Sequence, residues 1–164
     1  VLFAFYKLYS LYMIGTAVRK QASQDAADPS NPLGRVLKVG KDNFDKDIDT
    51  LELKLAEAIM AERPAIDQGI GFIKIISVIA PLAGLLGTVT GMIVTFQMIT
   101  LYGTGDPKLM AGGISQALVT TVLGLLVAIP TSLLHSFTQS SARGIISILE
   151  EQSTGILAER AESK

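Results

Sequence analysis

Two long stretches without a formal charge set what this chain can become. No Asp, Glu, Lys or Arg occurs between Lys74 and Asp106, or between Lys108 and Arg143. A helix over 75–105 would rise roughly 46 Å, against a bilayer hydrocarbon core of about 30 Å. The helices of a soluble bundle rarely stay uncharged on every face for so long, because one face meets water. Two membrane spans joined by the short polar turn Tyr102-Gly-Thr-Gly-Asp-Pro-Lys108 account for the pattern, and a mean hydropathy of +0.44 agrees. The expected fold is an all-α, polytopic membrane protein.

Composition closes off several chemistries. The chain has no Cys, which removes disulfide frameworks, thiolate metal sites and cysteine nucleophiles. A lone His135 cannot build a histidine cage, so neither metal nor cofactor is expected. Ser132 and Ser136 flank that histidine without a Gly-x-Ser-x-Gly elbow, so no catalytic residue is expected. Gly84-Leu-Leu-Gly-Thr-Val-Thr-Gly91 lacks the Gly-Lys-Thr ending of a phosphate loop. A net charge of −1 gives no overall basic footprint for nucleic acid.

The charges that exist are segregated. Arg19, Lys20, Arg35, Lys38, Lys41, Lys46, Lys54 and Arg63 all precede the first uncharged stretch, whereas the turn between the two offers Lys108. The positive-inside rule then places 19–66 in the cytoplasm and the turn, 103–112, on the periplasmic side with Asp106 in it. The second and third transmembrane helices are expected over 67–102 and 113–137. A cytoplasmic C-terminal helix is expected over 138–164, with SILEEQSTGILAERAE amphipathic. Residues 1–18 are apolar and aromatic; we read 1–6 as the tail of a first span cropped before Val1, with Lys7 snorkelling at the boundary beside Tyr6, Tyr9 and Tyr12. The rival, one short span over 1–18, leaves that lysine near mid-membrane. Residues 28–34 (DPSNPLG) form a turn-rich break. Residues 44–63 place Phe44, Ile48, Leu51, Leu55, Ile59 and Met60 at helical spacing, an amphipathic helix.

On a helical wheel each span divides into an oily and a polar face. Ser77, Thr88 and Thr95 share an arc with Gly84 and Gly91, widened by Ala80 and Gly87. Gln116, Thr120 and Thr121 share one with Gly113, Ala117, Gly124, Ala128, Thr131, Ser132 and His135. Two readings stand. Ala80, Gly84, Gly87, Gly91 and Gly124 let helices pack closely, with hydroxyls bonded to backbone carbonyls. Or the hydroxyls line a polar passage.

Ala80-Pro-Leu-Ala-Gly-Leu-Leu-Gly-Thr-Val-Thr-Gly91 and Gly113-Ile-Ser-Gln-Ala-Leu-Val-Thr-Thr-Val-Leu-Gly-Leu-Leu-Val-Ala-Ile-Pro130, with Asn31-Pro-Leu-Gly-Arg-Val36, closely resemble the ExbB/TolQ/MotA family of bacterial proton-channel and motor subunits, nearest to ExbB. The resemblance implies an inner-membrane homo-oligomer, a pentamer, whose second and third spans surround a central pore. It implies partners too: an ExbD-like dimer in that pore carrying one aspartate per helix, and a TonB-like protein that the complex energises for uptake across the outer membrane. Lipid surrounds the ring; nucleic acid has no part. A TolQ-like subunit of the envelope-constricting system, a MotA-like flagellar stator, and a structural scaffold are the alternatives. Motif by motif, the family's pore-lining threonines fall on Thr88 and Thr121, with Ser77, Thr95 and Thr120 beside them. Gln116 departs from the pattern: many relatives in the family carry glutamate there, and glutamine exchanges no proton near neutral pH.

Overall fold

The computed structural model describes residues 1–24, 27–103 and 107–163. Asp106, in the expected periplasmic turn, and Lys164, the last residue of the expected C-terminal helix, lie outside the described residues. Five helices follow one another: α1 (Leu2–Ala22), α2 (Pro32–Asp42), α3 (Ile48–Asp67), α4 (Ile70–Tyr102) and α5 (Pro107–Glu162). They form two compact units, one of Val1 with Gly71–His135, the other of Leu2–Ile70 with Ser136–Lys164.

The second unit has an ordinary hydrophobic core. Leu11 and Val18 of α1, Leu33 and Val36 of α2, Leu51, Leu55, Ile59 and Ile66 of α3, and Ala142, Ile145 and Leu149 of α5 make one buried cluster. The helix over 44–63 begins later and runs further than its apolar spacing suggested, because Asp47 takes the N-cap and accepts from the Thr50 amide at 3.0 Å. Phe44 lies before that helix, under the Arg160 guanidinium at 5.7 Å. Met60, expected on the buried face, is 69 % exposed. The stripe of Leu51, Leu55, Ile59 and Ile66 turns it outward.

Helix α2 was not anticipated. The break ends at Asn31, whose side chain accepts from the Gly34 amide at 2.8 Å while Pro32 supplies the preset first turn. Asn31 also donates to Asp28 O (3.0 Å) and to Gln21 Oε1 (3.3 Å), and Gln21 Oε1 accepts from the Asp28 amide at 2.9 Å. The buried Gln21 thus pins the loop to the end of α1. Gly34 is held so tightly that a Cβ there would collide with the Asp28 carbonyl. Backbone cannot swing aside as a side chain can. Gly34→Ala is therefore expected to destabilise the second unit by roughly 1–3 kcal/mol, measured as a lowered unfolding midpoint in detergent.

Lys7 also departs from expectation. It does not snorkel; it is 8 % exposed, and its Nζ donates to the Ala65 carbonyl at 3.3 Å. The last turn of α3 carries no basic residue, and its terminal carbonyls lack partners within the helix. Lys7 supplies from α1 the cation that this C-terminus lacks. The chain then turns through Gly69 (φ 81), where the Phe3 ring would meet a Cβ at 2.8 Å, and enters α4.

Candidate channel face

In the other unit, α4 and α5 meet along their small-residue faces. The contact runs antiparallel: 84 lies opposite 124, 87 opposite 120, 91 opposite 117 and 95 opposite 113. At its closest, a Cβ on Gly124 would lie 2.7 Å from the Ala80 carbonyl oxygen and 2.9 Å from Gly84 Cα. A Cβ on Gly91 would lie 2.6 Å from that of Ala117, and one on Gly87 would collide with the Thr120 side chain. Such spacing maximises dispersion contact between helices where no hydrophobic effect operates.

Polar groups meet across this contact. Thr120 Oγ1 and Thr121 Oγ1 each donate to the Gly84 carbonyl at 3.2 Å. Thr120 also donates to Ala117 O at 2.6 Å within its own helix. Thr95 is buried against Gly113 and donates to Gly91 O at 2.9 Å. Thr131, 1 % exposed, donates to Val127 O. Within a single chain, Gly84, Gly87, Gly91, Gly124, Thr120 and Thr121 thus all lie in the α4–α5 contact.

Beside the contact lies a groove of about 320 Å³, lined by Gly87, Thr90, Gly91, Val94, Thr95, Gly113, Gln116, Ala117 and Thr120. Gln116 is exposed on its wall, and its side chain makes no hydrogen bond among the described residues. Thr88, Thr121 and Ser77 are not part of this lining. Thr88 is half-buried and donates to Leu85 O at 2.6 Å; Ser77 donates to Lys74 O at 2.7 Å. The wheel had grouped Gln116 with Thr121 on one arc; the structure divides them, with Gln116 in the groove and Thr121 outside it. Thr90 was missed. Two residues beyond Thr88 it falls on the far side of that arc, and only the packing of α5 brings it beside Gln116.

The remaining surface of the hairpin is oily. Leu82, Leu85, Leu86, Val89, Ile93 and Phe96 of α4, and Leu118, Val122, Leu126 and Ile129 of α5, are each at least half exposed. Both apolar windows have a mean hydropathy of 2.1 and are little buried by the chain itself. Among the described residues no group of three or more His, Cys, Asp or Glu is placed to hold a metal ion.

Residues 28–151 match the MotA/TolQ/ExbB proton channel family. The chain is 34 % identical over 121 residues to a putative biopolymer transport protein ExbB homolog of Methanothermobacter thermautotrophicus, covering 71 % of this chain and 41 % of that protein. It is 36 % identical over 102 residues to a putative biopolymer transport protein ExbB-like 3 of Synechocystis, covering 61 % and 49 %. It is 47 % identical over 58 residues to the biopolymer transport protein ExbB of Aquifex aeolicus, covering 35 % and 39 %. The chain thus spans less than half the length of each of these relatives.

Proposed function

The chain belongs to the MotA/TolQ/ExbB proton channel family, and from that premise we propose that it is an ExbB-like subunit of a proton-driven inner-membrane motor. In this reading five copies form a ring around an ExbD-like dimer, and the complex energises a TonB-like protein. The loop 19–66 and the C-terminal segment lie in the cytoplasm. The observation that carries the reading is Gln116: an unbonded amide in an apolar span, beside a groove edged by Thr90 and Thr120. An amide in hydrocarbon costs several kcal/mol, roughly 2–7, unless water or a polar partner meets it. A pore containing water and a carboxylate-bearing helix provides both.

Thr88 and Thr121 hydrate or bond the partner's aspartate in this reading, and no carboxylate of the two spans takes part, since neither uncharged stretch holds one. Protons moving inward release roughly 2.3 kcal/mol each per 100 mV. Affinity purification from native membranes tests the assignment. ExbD-like and TonB-like proteins should accompany the chain; recovery of TolR-like and TolA-like proteins instead would move it to the TolQ branch.

The ring makes a second prediction. Cysteines at positions 93 and 126, replacing the exposed Ile93 and Leu126, should react with lipid-soluble maleimides. Cysteines at 88 and 121 should be shielded from lipid and cross-link within the ring. The reverse labelling pattern would overturn the arrangement.

A further inference from the structure

Within the second unit, a groove of about 340 Å³ lies between α1 and the part of α5 beyond Phe137. Gly15 and Gly144 keep it open; a Cβ at 144 would meet no atom within 4 Å. Its edge carries Tyr12, Thr16 and Arg19 of α1 with Ser140 and Ser141 of α5, and no acidic residue lines it. Thr16 spends its hydroxyl on Met13 O at 2.8 Å. Among the described residues, the Arg19 guanidinium and the hydroxyls of Tyr12, Ser140 and Ser141 make no hydrogen bond. Other arginines of the chain are engaged. Arg35 holds Glu62 at 2.6 and 2.7 Å, Arg63 holds Glu150 at 2.8 Å, and Arg160 reaches the Asp45 and Lys46 carbonyls. Donors gathered round one cavity call for an acceptor, and a cation there without a carboxylate selects an anion.

The height of the groove along α5 says which anion. Among the described residues, Leu133 and Phe137 are the last large apolar side chains exposed on that helix, and the first charge after them is Arg143. Ser140 to Gly144 lie three to seven residues past Phe137, roughly 5–10 Å along an unbroken helix. The headgroup layer outside the hydrocarbon is about 5–7 Å deep on each side. Helical side chains lean toward their N-terminus, which for Arg19 is the apolar end of α1 with its exposed Tyr6, Tyr9 and Tyr12. We propose that this groove binds the phosphate of an anionic phospholipid headgroup, with Arg19 as counter-ion and Tyr12, Ser140 and Ser141 as hydroxyl donors. Arginine suits the task because its planar fork offers a phosphate two parallel N–H groups. The proposal needs the apolar hairpin in a membrane and nothing of the motor reading; neither a pore nor a partner's aspartate enters it.

Counting bound lipid on the assembly purified from native membranes tests it. After exchange into nanodiscs of equal phosphatidylglycerol and phosphatidylcholine, native mass spectrometry reports which lipid each copy keeps as the disc is stripped. Phosphatidylglycerol should be kept in preference. Arg19→Gln should lower that retention at least about fivefold. Gly144→Leu fills open space instead of displacing a neighbour, so it should abolish retention with the unfolding midpoint unchanged. Arg143→Gln, a charge outside the lining, should alter nothing. Equal retention of the two lipids overturns the proposal, as does retention that Arg19→Gln and Gly144→Leu leave intact. An equal loss in Arg143→Gln overturns it too, by showing a diffuse attraction in place of a site. Displacement of the lipid by millimolar inorganic phosphate would assign the groove to a soluble anion instead. A cross-link from Gly144→Cys to a neighbouring copy would show the groove covered by protein, and either result overturns the lipid.

Discussion

Gly124→Leu is expected to abolish both assembly and proton flux, the largest effect of any single replacement in the membrane unit. Position 124 faces backbone on both sides of its contact: the Ala80 carbonyl and the Gly84 Cα both lie within 3 Å of where a Cβ would be. A leucine there cannot be accommodated by a rotamer change in a neighbour. The helices must separate, and separation also withdraws the Gly84 carbonyl from Thr120 and Thr121. Overpacking costs roughly 1–3 kcal/mol where neighbours can shift, and more where they are backbone. Crosslinking in native membranes should show monomers in place of the proposed ring. A variant that assembles and conducts normally would mean that the close approach at 84 and 124 carries no structural weight.

The second large effect lies in the partner chain. In the proposed complex, replacing the partner's aspartate by asparagine should eliminate proton flux, because this chain holds no carboxylate between Lys74 and Asp106 or between Lys108 and Arg143 to accept a proton in its place. Gln116→Ala should lower flux only several-fold, about the worth of one or two hydrogen bonds to water, and leave its dependence on membrane potential intact. The Gln116 side chain occupies the groove wall without a hydrogen bond among the described residues, so its removal vacates space and a polar surface without unpairing a described neighbour. Flux measured on liposomes holding the reconstituted complex separates the two. If Gln116→Ala stops conduction and the partner's aspartate proves dispensable, the proposed route is wrong at its centre.

The membrane class was legible because the absence of charge over two long runs has few physical explanations. Small side chains at four-residue spacing point to close approach of helices, and Gly84, Gly87, Gly91 and Gly124 each lie close to α5 or α4. What the wheel could not give was sidedness. It places residues around one axis and knows nothing of where the neighbouring helix lies, so Gln116 and Thr121 shared an arc that the contact with α4 then divides. Thr90 stayed hidden for the same reason. Helix α2 was missed because Asn31-Pro-Leu-Gly34 reads as a turn, yet Asn31 and Pro32 are an N-cap and a first helical residue. Lys7 was misplaced because a lysine beside tyrosines usually reaches for water, and its acceptor, Ala65, lies fifty-eight residues further along the chain.

That separation has a bearing on biosynthesis. Residues leave the ribosome at roughly 5–20 per second, so the ammonium of Lys7 waits some seconds, about 3–12, before Ala65 exists to receive it. During that interval the amine is an unneutralised cation on a helix whose other charges, Arg19 and Lys20, lie in its last turn, and a lone cation resists being drawn into a bilayer. Only once α3 is complete does the lysine exchange water for the carbonyl and close the elbow ahead of α4.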